Sequence, residues 1–117
     1  MTESSGIFTF PTTGYWWIFM GVQFSHTAAS NYVKISGEYS TDSGSSYANT
    51  IDTHSPLPLK ENETTYAGTR ADFILDVTNA STFRVRFSVT VGNDDTSTGA
   101  STSMDKTYFR FVRLADT

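Results

Sequence analysis

The chain has 117 residues, a net charge of −4 and no cysteine; its length suits a single domain, and it has no disulfide, thiolate metal site or cysteine nucleophile. The few basic residues are scattered, which argues against a nucleic-acid partner, and no apolar run approaches the ~18 residues of a membrane span, so no membrane insertion is expected. Because only 17% of the residues are charged while Ser, Thr and aromatic residues abound, the composition predicts an all-β protein.

The first structured segment follows a polar lead-in over residues 1–5 and consists of two strand-like runs that flank Pro11 and Gly14. Proline interrupts a strand ladder, and glycine readily takes the positive φ that a tight turn requires. The chain is therefore predicted to reverse between Phe10 and Tyr15.

The strand after this turn has two apolar faces, since its alternate positions are hydrophobic on both sides. One face carries Trp16, Ile18, Met20, Val22 and Phe24, and the other begins with Tyr15, Trp17 and Phe19. One apolar face serves the core of a sandwich, so the second aromatic face is expected to contact another subunit. The alternative left open is that these three aromatics cover an uncovered side of a monomer.

The middle of the chain predicts less regular structure. Residues 32–40 alternate imperfectly as a third strand and end in a turn over 41–44. Residues 45–52 fit a weak edge strand, and two prolines within 54–62 predict an irregular surface connection.

Three segments complete the predicted sandwich. Residues 71–77 form a short apolar strand, and residues 82–91 show the clearest alternation in the chain. The predicted inward positions of that second strand are Phe83, Val85, Phe87, Val89 and Val91. A polar loop over 92–105 leads to a last strand over 107–114.

A family resemblance emerges from the spacing Gly6-x-Phe8-Thr9-x-Pro11-x-x-Gly14-x-Trp16-Trp17-Ile18. This motif resembles the signature of the globular domains of complement component 1q, which are jelly rolls of the tumour-necrosis-factor type. Residues 107–114 resemble the terminal strand of that family, and residues 76–87 resemble its penultimate strand pair. Both segments are most similar to versions found in structural proteins of marine viruses and bacteriophages.

The resemblance implies a trimeric antiparallel β-sandwich over residues 6–114, with a tail over 115–117. Only five residues precede Gly6, where the family has one or two further strands, so the chain is either an abbreviated jelly roll or a domain from the C-terminus of a longer virion protein. It implies core positions at Phe8, Trp16, Ile18, Met20, Phe83, Val85, Phe87 and Phe109. It implies a trimer interface at Tyr15, Trp17, Phe19, Tyr108 and Arg110. Arg110 stands where the family usually has glycine, so this side chain is expected to require an acidic or aromatic partner.

Few side chains suggest catalysis or metal binding. His26 and His54 fall in predicted loops without a nucleophile motif, and we expect both imidazoles to be solvated. Asp94 and Asp95 are a weak candidate calcium site, because three adjacent oxygen-bearing residues from Asn93 onward are not a calcium motif. No cofactor is expected.

Exposed tyrosines make carbohydrate binding a stronger candidate than catalysis, because their rings stack on sugar faces. The candidates are Tyr32, Tyr39, Tyr47 and Tyr66, each of which also fits ordinary strand decoration.

The sequence favours a non-enzymatic, homotrimeric module at the C-terminus of a viral fibre, spike or other virion protein, which recognises a glycan or protein on the host surface. The first alternative is a virion structural or decoration protein that docks on another virion component. The second is a polysaccharide-degrading enzyme, for which Asp72 and Asp76 would lie on the same face of one strand.

Overall fold

A computed structural model describes residues 1–27, 30–58, 63–92 and 95–117, and in these ranges the chain forms strands and no helix. No helix capable of crossing a membrane is found among these residues. The strands are β1 Thr2–Ser4, β2 Ile7–Thr9, β3 Gly14–His26, β4 Ser30–Ser40, β5 Ala48–Leu57, β6 Thr65–Val77, β7 Arg84–Val91, β8 Ser97–Thr98 and β9 Thr107–Ala115.

The strands form two antiparallel sheets that pack as a β-sandwich, as the sequence predicts. Sheet A has the order β1-β2-β7-β4-β5. In sheet B, β3 lies in the centre, β6 pairs with one of its edges along the whole strand, and β9 and β8 pair with the other edge. Consecutive strands repeatedly change sheet, so most contacts join segments that are distant in sequence.

The turn between Phe10 and Tyr15 links the two sheets. Gly14 takes the expected positive φ of 133°, but β2 pairs with β1 and β7, whereas β3 belongs to sheet B. Trp16 donates a hydrogen bond from its indole Nε1 to the carbonyl oxygen of Thr12, at 3.3 Å. The turn therefore starts a crossing between sheets rather than a hairpin.

The core lies between the sheets and follows the alternation of β3. Trp16, Ile18, Met20, Val22 and Phe24 are all buried. These side chains pack against residues of β4, β6 and β7 and against Phe83, which directly precedes β7. The residues of this second group are also buried: Val33, Ile35, Phe73, Leu75, Val77, Phe83 and Val85. Burying one such side chain contributes about 1.5–3 kcal/mol, so this single register of β3 fixes which face of sheet B is inside.

The aromatic residues at the β9 side of the core are less buried than predicted. Phe8 and Phe87 are half-buried, and Phe109 is 40% exposed, so the prediction of Phe109 as a core residue is wrong in its burial. Its ring still points inward, with its centroid 5.2 Å from that of Phe8 and 5.0 Å from that of Phe87. The exposure arises because no strand pairs with the outer edge of β9 among the described residues.

Two further expectations need correction. Residues 1–5 are more than a lead-in, since β1 pairs with β2 through a tight turn in which Ser5 and Gly6 both have positive φ. Strand β5 continues to Leu57, through part of the predicted irregular connection. Pro56 is tolerated there because β5 is an edge strand of sheet A; residues 59–62 lie outside the described residues.

The turn after β4 is held by Asp42. Its carboxylate accepts hydrogen bonds from the Ser46 hydroxyl at 2.6 Å, the Ser46 N–H at 2.9 Å and the Ser40 hydroxyl at 2.7 Å. These donors, the Ser46 hydroxyl above all, hold the pKa of Asp42 well below its ordinary value. The charged form of this carboxylate therefore stabilises the turn.

Candidate functional site

The outward side of β6, β3 and β9 is one continuous surface, which we call the outer face of sheet B. The pairing registers place its side chains in rows across the sheet. The rows are Asp76, Tyr15 and Ala115; Ile74, Trp17 and Val112; Asp72, Phe19 and Arg110; and Arg70, Gly21 and Tyr108. All five residues of the predicted trimer interface thus lie on one surface.

The centre of this outer face is apolar and exposed to solvent. Tyr15 and Trp17 are each 39% exposed, Val112 is 48% exposed and Ile74 is 62% exposed. Contiguous apolar surface of this kind on a soluble domain typically marks an interaction site. Sequence reasoning missed Ile74 and Val112, although both occupy the outward positions of strands whose neighbours Phe73 and Phe111 point inward.

The aromatic side chains in the centre are held in fixed positions. The rings of Trp17 and Phe19 meet edge to face, with centroids 5.1 Å apart and planes at 70°. The Trp17 indole Nε1 donates a hydrogen bond to Asp72 Oδ2 at 3.0 Å. Trp17, Phe19, Arg110 and Val112 line an apolar hollow of about 280 Å³. The centre is therefore a preformed surface with a recess beside the tryptophan.

The two edges of the outer face carry opposite charges. On this face β6 carries Asp72 and Asp76, with Arg70 one row further along, and β9 carries Arg110. Oδ1 of Asp76 is buried and accepts no hydrogen bond from the described residues. The aromatic centre is thus flanked by two carboxylates on the β6 side and by one guanidinium on the β9 side.

Arg110 has both kinds of partner that the sequence requires. Its guanidinium lies 3.0 Å from Asp105 Oδ2, and its Cζ lies 4.6 Å from the centre of the Tyr108 ring. Both members of the ion pair are more than half exposed, so this arginine is solvated in the single chain and avoids the cost of an unpaired buried charge.

Both histidines lie in strands rather than in the predicted loops, and of the two only His54 is exposed to solvent as expected. His26 ends β3 and is 2% exposed, with Nδ1 3.2 Å from the Thr96 hydroxyl and Nε2 without a partner in the described residues. His54 lies in β5, and its ring centroid is 5.7 Å from that of Tyr32. Their places in strands follow from β3 and β5 being longer than the sequence indicates.

The remaining candidate residues are distributed over the molecule. Tyr66 is exposed, whereas Tyr39 packs against the core and the Tyr47 ring lies 3.8 Å below the Arg86 guanidinium. Asp72 and Asp76 share the outer face, as strand parity predicts.

The weak calcium candidate stays a prediction. Asp94 and its neighbour Asn93 lie outside the described residues, whereas Asp95 lies within them. In the described part of the chain, no group of three His, Asp or Glu side chains is placed to hold a metal ion.

Comparison with known proteins provides no family for the chain: no family model matches it, and no curated protein shows significant similarity to it.

Proposed function

We propose that this chain is a non-enzymatic, homotrimeric β-sandwich module of a viral fibre, spike or virion structural protein. Its outer face of sheet B would join the three copies, and its loops or open surfaces would contact the host. The observation that carries the proposal is the exposed apolar centre formed by Tyr15, Trp17, Ile74 and Val112.

A second copy of the chain fits this face because its two edges are complementary in charge. In a ring of identical subunits, each interface joins two different patches, so one edge of each copy meets the opposite edge of the next. The β6 edge with Asp72 and the β9 edge with Arg110 are such a pair, and both residues belong to the same row across the sheet. If the rotation axis of the ring runs parallel to the strands, each row of residues stays at the same position along the axis in every copy. Asp72 of one copy then faces Arg110 of the next copy.

The number of copies and the viral setting come from the sequence resemblance. The strand arrangement supports it: β2, β7, β4 and β5 form one sheet, β6, β3 and β9 form the other, and the chain crosses between them repeatedly. Such interleaving is typical of a jelly roll. Trimeric modules of this type assemble stalks and present surfaces to partners, which is the role we propose for this chain.

Charge reversal tests the proposed interface. Arg110→Asp should shift the chain from trimer towards monomer, because like charges would then face each other between copies. The double variant Asp72→Arg with Arg110→Asp should restore the trimer, because it exchanges the two edges. Lys34→Asp is the control, since it reverses a half-buried cation of sheet A that pairs with Asp52, far from the proposed interface, and it should leave the mass unchanged.

Sedimentation velocity across a hundredfold range of protein concentration measures the trimer fraction of all three variants. The Arg110–Asp105 ion pair within one chain is more than half exposed, so its loss should lower the free energy of unfolding by only about 0–1 kcal/mol. The variant chain should therefore still fold. Equal trimer fractions for Arg110→Asp and the Lys34 control would contradict the proposed interface. A chain that stays monomeric in every variant would favour docking of this face on another virion component.

A further inference from the structure

A second hollow lies at the other end of the outer face of sheet B, near the C-terminal end of β3. Its volume is about 480 Å³. Its lining side chains come from β3, β6, β9 and the segment before β9, and they include Gln23, Tyr66, Arg70, Lys106 and Tyr108. Gln23 lies six residues beyond Trp17, which is ~20 Å along a strand. We call this hollow the polar groove.

Two glycines shape the polar groove. A Cβ at Gly68 would meet nothing closer than the Val22 carbonyl oxygen at 3.9 Å, so the missing side chain leaves open space. At Gly21 a Cβ would lie 2.5 Å from Cζ of Tyr108, so the tyrosine ring occupies the room above that glycine. The floor is therefore bare backbone, and the Tyr108 ring forms one wall.

The polar groove is cationic on a chain with a net charge of −4. Arg70 and Lys106 line it, and neither side-chain cation has a hydrogen-bond or ion-pair partner within the described parts of the chain. The acid that also lines it, Asp105, is already paired with Arg110 at 3.0 Å. Two unpaired cations beside a neutralised carboxylate favour an anionic ligand.

The groove also offers an aromatic surface. Tyr66 is 64% exposed on the wall opposite Tyr108. Tyrosine combines an apolar ring face with a polar tip, which suits the apolar face and the hydroxyl groups of a sugar ring. Gln23 adds amide donors and an acceptor to the lining of the groove.

We propose that the polar groove binds an acidic saccharide, with a sugar ring against Tyr66 and a sugar carboxylate on Arg70. The planar guanidinium can donate two parallel hydrogen bonds to a carboxylate. A neutral sugar has no charged group with which to form this charge-assisted pair. This inference rests on the host-recognition half of the proposed function and supplies its ligand class and site. The groove extends to Gln23, ~20 Å from Trp17 along β3, so an interface confined to the rows of Tyr15, Trp17 and Phe19 would leave it accessible.

The test is a glycan array that carries sialylated, uronate-containing and neutral saccharides, probed with the full 117-residue chain. We expect saturable binding to carboxylate-bearing saccharides and roughly tenfold to hundredfold weaker binding to their neutral counterparts, as the loss of a charge-assisted hydrogen bond predicts. Arg70→Gln should lose this preference. Lys34→Gln removes the same charge from sheet A and should keep it.

Gly68→Val provides an independent variant. Valine suits a strand, and the space above Gly68 is open, so the fold should be retained while the groove is filled. Absence of binding to every carboxylate-bearing saccharide would overturn the inference, and so would equal binding by wild type, Arg70→Gln and Gly68→Val. If the chain is a trimer that binds no saccharide, only the proposed saccharide site is contradicted. If the chain is a monomer that binds a saccharide, only the proposed trimer is contradicted.

Discussion

Replacing Trp17 by glutamate should dissociate the proposed trimer. The side chain is 39% exposed in the single chain, and a tryptophan can bury up to ~250 Å², so about 100 Å² of its surface awaits a partner. At ~25 cal/mol per Å², covering that surface contributes about 2.5 kcal/mol at each of three interfaces, or roughly 7 kcal/mol for the trimer. A buried, unpaired carboxylate would add a further penalty.

The same substitution should cost the isolated chain much less. It removes one edge-to-face ring contact and one exposed hydrogen bond to Asp72, together about 1–3 kcal/mol. Tyr32→Glu is the matched control, because Tyr32 is an aromatic of sheet A that is 38% exposed. Light scattering should give a monomer for Trp17→Glu and an unchanged mass for Tyr32→Glu. A Trp17→Glu chain that keeps the trimer mass would refute the assignment of this face to the interface.

Three further predictions concern folding of the chain. Gly14→Ala should lower the free energy of unfolding by about 1–3 kcal/mol, because φ is 133° there and a Cβ would meet the Ala115 carbonyl; Gly68→Ala should change it little in the same urea titration. Ile18→Ala should cost about 2–5 kcal/mol, since Ile18 is fully buried, and unchanged urea midpoints would contradict the core assignment. The pKa of Asp42 is lowered on folding, so its contribution is complete above the unfolded pKa of about 4 and fades as pH falls further. The difference in urea midpoint between wild type and Asp42→Asn should therefore shrink from pH 7 to pH 2.5, and a constant difference would exclude this linkage.

Strand parity made much of the fold predictable. The alternation of β3 correctly separates buried Trp16 and Ile18 from exposed Tyr15 and Trp17, because a strand offers its side chains only two directions. The same rule places the predicted interface residues of β3 and β9 on one side of sheet B once the two strands pair. The same alternation places the side chain of Ile74 on the outer face. This position was missed because Phe73 and Leu75 on either side are apolar too.

Features that depend on pairing partners could not be predicted from local pattern. The sequence gives no sign that the turn at Gly14 changes sheet, because that choice is made by the pairing of β2 with β7. Pro56 signals a break, yet an edge strand tolerates it. His26 is buried because β3 extends to meet β6 and β8, and Phe109 is exposed because the sheet ends at β9. The polar groove needs Gly68 and Lys106 to come together from distant segments.

The central claim is that the outer face of sheet B joins three copies of this chain, and the mass of the wild-type protein in solution tests it most directly. Light scattering on the eluting peak should give about 39 kDa, three times the 12.9 kDa of one chain. A single species of one-chain mass that persists at high concentration would contradict the claim.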